Sequence, residues 1–169
     1  GEGAPLNLQL GLSVTKAKYL SAVAKDFSEH ALAFRDASSQ VQIESENYCA
    51  APTAENLQRA QESWKSAMGI WQHLELFQIG PLAETTKVLK SAIYAWPGPA
   101  NLCKIDEEAM KALASTSYRL PAQPNRKGFQ ALEYLLFESS LESICSTLIP
   151  QTELAISVAE KWNAQSQEI

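Results

Sequence analysis

Two runs of apolar residues, each stepped by threes and fours and parted by a single Cys-Ala-Ala-Pro break, limit this chain more than any other feature. From Ser13 onward, Leu20, Val23, Phe27, Ala31 (with His30 beside it), Phe34, Ala37 and Val41 fall on one face of a long helix. That helix is expected to end near Cys49-Ala50-Ala51-Pro52. Thr53 is then placed to cap a second helix, whose apolar face carries Leu57, Ala60, Trp64, Ala67, Trp71 and Leu74. Gly80-Pro81 stops it. Two long helices joined by so short a turn pair as an antiparallel hairpin.

The rest of the chain continues in the same period. Pro81 suits the first turn of a third helix over 82–95, ending before Trp96-Pro97-Gly98-Pro99. Asp106 is placed to cap a short segment reaching Leu113, and the prolines and polar residues of 115–125 predict a loop. Asn125 would cap a helix over Lys127–Phe137. A closing helix carries Leu141, Cys145, Leu148, Thr152, Ala155, Ala159 and Trp162, with Pro150 kinking it or marking its start. No stretch alternates with period two between turn signals, so no sheet is expected. The reading is all-α, an up-and-down helical bundle, with residues 1–12 as a flexible leader and 13–169 as a single domain.

A chain of 169 residues is long enough to bury a core without metals or disulfides. Its net charge of −5 and the lack of any Lys/Arg cluster argue against nucleic acid or anionic membrane as partners. No apolar run reaches the roughly 18 residues of a transmembrane segment. Cys49, Cys103 and Cys145 are widely spaced, which excludes a zinc ribbon. They leave open one disulfide plus a free thiol or three reduced thiols, and composition leans to the second.

The candidate chemistry sits in two places. In Lys-Gly-Phe-Gln-Ala-Leu-Glu-Tyr-Leu-Leu-Phe, Gln130 and Glu133 are neighbours at i and i+3 on the margin of an apolar stripe. A His/Glu pair at that spacing grips a cation in bundle-core metal sites, but an amide is a weak ligand for zinc or iron. The plainer reading of Glu133 is a carboxylate paired with an arginine or a backbone group. Glu75 follows Trp71 by one turn and points toward the buried stripe, where it needs a partner. His73 lies about 200° round from Trp71 and so faces another surface, while His30 reads as a hydrogen-bonded packing residue. With no HExxH, a zinc centre would need His30 or His73 to meet Glu75 and Glu133 in space. Trp64 and Trp71 read as a core ridge.

The order of these motifs resembles the imelysin family, insulin-cleaving metallopeptidase-like and iron-regulated proteins of bacterial envelopes. The chain shows Cys-Ala-Ala-Pro before a Trp-rich helix, then Phe-x-x-Gly-Pro, a Trp-Pro turn, Gly-Phe-x-Ala-Leu-Glu-Tyr-Leu-Leu-Phe, and a cysteine before a closing helix. The resemblance covers about 15–165 and implies one lobe of a two-lobed, all-helical fold. Of the family's Gly-x-His-x-x-Glu, Gly128 and Glu133 match, and Gln130 stands where the histidine belongs. It implies a periplasmic or cell-surface location, with lipid anchoring as one form, and a link to iron acquisition through iron-uptake components or a second lobe. In an oxidising compartment Cys49 and Cys145 would pair, leaving Cys103 free. The expected polar focus is Gln130, Glu133 and Glu75, with Arg126 as charge partner, and with Glu133 and Glu75 as ligands if iron or zinc is bound. Gln130 argues against peptidase activity. The alternatives are a zinc-dependent metallopeptidase and an interaction scaffold with no metal site.

Overall fold

The computed structural model describes residues 3–76, 102–121, 126–139 and 144–167, and every regular element among them is helical. The elements are α1 (Gly3–Ala50), α2 (Ala54–Leu74), α3 (Leu102–Ala114), α4 (Phe129–Glu133) and α5 (Cys145–Ser166). α4 runs directly into a π-helical turn over Tyr134–Glu138. The expected helix over 82–95, the Trp96-Pro97 turn and the Asn125 cap lie outside the described residues.

α1 and α2 form the expected hairpin. Thr53 is extended, and its Oγ1 accepts the Asn56 N–H at 3.1 Å, the bond an N-cap exists to make. α1 also packs along α5, so it is the central rod on which α2 and α5 lean. Its buried seam runs Phe27, Ala31, Phe34, Ser38, Val41 and Ser45, in alternating steps of four and three.

Two expectations about α1 need correction. The helix begins at Gly3, not at Ser13, so most of the span expected as a leader is helical. Leu20, assigned by its spacing to the buried face, is exposed. Length explains the second point. At 1.5 Å per residue α1 is roughly 70 Å long, while α2 and α5 are each about 30 Å. Helices that short cannot cover all of α1, and the side chains from Thr15 to Ala22 are exposed.

The core centres on Phe34, whose ring lies 5.5 Å from both Trp71 and Phe129. α5 contributes Leu148, Ala155, Val158 and Ala159. Its helix starts at Cys145, so Pro150 sits inside the helix rather than at its start. A disulfide joins Cys49 at the end of α1 to Cys145 at the start of α5, with Cα atoms 5.7 Å apart. Cys103 is a free, exposed thiol.

Candidate functional site

The polar segment is positioned by one glycine. Gly128, the residue before α4, has φ 88° and ψ −167°, a conformation almost confined to residues without a Cβ. Its N–H donates to Gln151 Oε1 at 3.0 Å, and Gln151 Nε2 donates to the Arg126 carbonyl at 3.0 Å. The fully buried amide of Gln151 on α5 therefore clamps the entry to α4. Downstream, the π turn leaves the Leu136 carbonyl to accept from Gln61 Nε2 at 2.8 Å. Tyr134 donates its hydroxyl to Asp106 at 2.8 Å, tying this segment to α3. Burial first, and then that carboxylate, push the Tyr134 phenol up to about 12.

Held in this way, α4 lays Glu133 beside the last two turns of α2. A cleft of about 620 Å³ opens there, lined by Trp64, Lys65, Met68, Gly69, Trp71, Gln72, Glu75 and Glu133. The two carboxylates, 58 positions apart in sequence, thus share one cavity. Glu75 follows the last residue of α2, where the helix dipole disfavours negative charge. Trp71 offsets this by donating its indole N–H to Glu75 Oε1 at 3.0 Å. Trp71 is core, as its spacing predicts, but Trp64 is half-buried and walls the cleft. The Trp64 indole N–H donates to the Phe129 carbonyl at 2.9 Å, fixing that wall to α4. Phe137 meets the Trp64 ring edge-on at 5.5 Å, and the Lys65 ammonium lies 5.6 Å over the Phe137 ring.

The other expected members of the polar focus lie elsewhere. Gln130 is 93% buried, at 7% exposure, and its Nε2 finds no hydrogen-bond partner among the described residues. Arg126 turns to α3: its guanidinium donates to Glu108 Oε1 at 2.9 Å and lies 3.7 Å from Glu107. Glu108 is buried, and burial alone would raise its pKa; bonds from Tyr118, Arg126 and Lys111 outweigh that and hold it below the ordinary glutamate value. Tyr118, desolvated and donating to Glu108 at 2.8 Å, is raised in turn. Arg126, expected as charge partner of the Gln130–Glu133–Glu75 focus, is instead taken up by a buried carboxylate of α3.

The two histidines meet each other. Their rings stack with centroids 3.8 Å apart, and Asp26, which the sequence reading passed over, bridges them. A signal was present. His30 and His73 are equally far along the chain from the Ala51-Pro52 turn, so an antiparallel hairpin sets them opposite each other. Asp26 precedes His30 by one helical turn. The His73 hydrogen bond, more than any other contact, holds Asp26 below the ordinary carboxylate value.

The fold and the site together define a helical-bundle protein with an acidic, tryptophan-walled cleft between a hairpin and a glycine-led helix. The family model described as Imelysin (peptidase M75) matches residues 28–169, and the chain belongs to that family. It is 29% identical over 136 residues to iron-regulated protein A of Synechococcus elongatus, a match covering 77% of this chain and 35% of that protein. The crystal structure of an imelysin-like protein from Psychrobacter arcticum 273-4 superposes with a TM-score of 0.72 at 17% identity, covering 89% of this chain and 49% of that one. The second likeness establishes the fold. The chain thus spans about a third of one relative and about half of the other. Among the described residues no helix is long and apolar enough to cross a membrane.

Proposed function

We propose that this imelysin-family chain is a binding protein of the bacterial envelope, not a hydrolase, and that it serves iron acquisition by holding a cationic ligand in the Glu75–Glu133 cleft. The observation that carries the reading is the convergence of these two carboxylates, from the end of α2 and from α4, on a cavity walled by Trp64. Carboxylates supply charge, and indole faces favour cations. An acid at a helix C-terminus becomes less costly once a cation sits beside it.

The donor set speaks against a hydrolytic zinc centre. Such centres take three protein ligands, imidazole prominent among them, and keep one open position. Where the family places its histidine, this chain presents a buried amide, whose nitrogen is a donor and whose neutral oxygen is a weaker ligand for zinc than imidazole. Carboxylate and amide oxygens suit hard cations better than zinc. Two further points support the envelope and iron parts of the reading. The disulfide Cys49–Cys145 suits an oxidising compartment, and the relative from Synechococcus elongatus carries iron regulation in its name.

The test is calorimetric titration of the metal-free chain with ferric, ferrous and zinc ions, alongside a proteolysis assay with and without chelator. The reading expects saturable iron binding that Glu133→Ala weakens while the variant stays folded, and no chelator-sensitive proteolysis. Zinc-dependent proteolysis would overturn it in favour of the peptidase. A loss of stability in Glu133→Ala with no ligand effect would favour the scaffold.

A further inference from the structure

On the face of the hairpin that carries His30 and His73, apart from the cleft, we propose a second, independent site in which Asp26, His30 and His73 bind one divalent transition-metal ion of the zinc class. Asp26 Oδ2 lies 2.9 Å from His73 Nε2, and Asp26 Oδ1 lies 3.0 Å from His30 Nδ1. One ligand atom from each of the three residues falls within 4.8 Å of the other two. A tetrahedral zinc ion with bonds of about 2.0–2.2 Å sets its ligand atoms roughly 3.3 Å apart. The carboxylate contacts therefore open by a few tenths of an ångström, and the two rings, stacked with centroids 3.8 Å apart, must tilt from parallel to aim both nitrogens at one ion.

The backbone already holds the three in register. Asp26 and His30 are one turn apart on α1, and His73 projects from the last turn of α2. Directly beneath them, Phe27, Ala31 and Leu74 are in the core, all at 1% exposure or less. The α1–α2 spacing at this level is thus set by packing and is not left to the ligands.

The side chains themselves are 32–44% exposed, so an ion can enter from solvent and would keep an open position toward it. Two imidazoles and one carboxylate favour zinc, ferrous iron or copper over magnesium or calcium. The His30 ring must turn its Nδ1 from the Asp26 carbonyl, where it now hydrogen-bonds at 2.9 Å. That carbonyl is left with the helix N–H it already accepts, so no buried group is orphaned. A divalent metal ion would supply positive charge to all three groups at once.

The test titrates the chain carrying Cys103→Ser, which removes the competing thiol, with zinc sulfate by calorimetry and follows thermal unfolding with and without zinc. One zinc per chain is expected, with a rise in melting temperature of several degrees. His73→Ala and Asp26→Asn should each weaken binding by roughly a hundredfold or more, beyond what loss of a supporting group costs, and abolish the thermal shift. Glu133→Ala should leave both readouts unchanged, which separates this site from the cleft whatever the fate of the cleft reading. His30→Asn, at a half-buried position on α1, serves where His73→Ala fails to fold. Absence of saturable zinc binding, or binding that survives both His73→Ala and Asp26→Asn, would overturn the proposal.

Discussion

The same substitution at two glycines should change stability in opposite directions. Gly128 has φ 88° and ψ −167°, where any side chain meets the backbone, and such a residue costs about 1–3 kcal/mol. Gly69 lies in the interior of α2, and a Cβ there would find nothing within 4 Å. Glycine at such a helical position is less stable than alanine by about 0.5–1 kcal/mol. Gly128→Ala should therefore lower the unfolding free energy by about 1–3 kcal/mol, and Gly69→Ala should raise it by about 0.5–1 kcal/mol. For a chain of this size each kcal/mol moves the melting temperature by about 2–4 °C. Urea titration at matched slopes reads both. The penalty at Gly128 includes any distortion of its N–H bond to Gln151; if strain is the cause, Gln151→Ala in the alanine background should not recover it. A Gly128→Ala variant as stable as the parent would refute the account of why α4 begins with this glycine. Destabilisation by Gly69→Ala would show that the helix, or the cleft it lines, needs the glycine for another reason.

Two other outcomes follow from the packing. Reducing Cys49–Cys145, which closes a loop across a separation of 96 residues, should cost about 2–5 kcal/mol, the chain-entropy relation placing a loop of this length near the upper end; differential scanning with and without reductant reads it, and a change under a few degrees would contradict it. Glu108→Gln should destabilise by about 3 kcal/mol, the low end for breaking a buried pair, because Glu107 still lies 3.7 Å from Arg126. Since the folded pKa of Glu108 is below its ordinary value of 4.5, its contribution is full above 4.5 and fades as pH falls through the lower folded value. The gap between parent and variant should accordingly shrink in acid, and a gap that widens there would reverse the sign of the argument.

The hairpin was legible because its determinants are local. Threonine at 53 can cap by itself, and the seam from Phe27 to Val41 shows its period without any partner. What the period does not contain is how far neighbouring helices reach. Leu20 continues the stripe faithfully, yet α2 and α5 are too short to cover all of α1. In the polar segment, the spacing of Gln130 and Glu133 on a helix is again local. The partner of Arg126 is a choice among carboxylates from distant elements, and burial on α3 decided it for Glu108. Asp26 shows the intermediate case. Its pairing with His73 spans 47 residues, but the symmetry of a hairpin about its turn makes such a contact readable once the hairpin is trusted. The clamp of Gln151 on Gly128 had no comparable signal, since nothing in either residue names the other.

The claim on which the functional reading depends is that Glu75 and Glu133 act on one ligand. A double-mutant cycle measures this directly: ferric-ion affinity of the parent, Glu75→Ala, Glu133→Ala and the pair, by calorimetry. Two groups gripping the same cation should be non-additive, with a coupling of about 0.5–3 kcal/mol. Strictly additive losses, or affinities untouched by either substitution, would contradict the shared cleft as the site of binding.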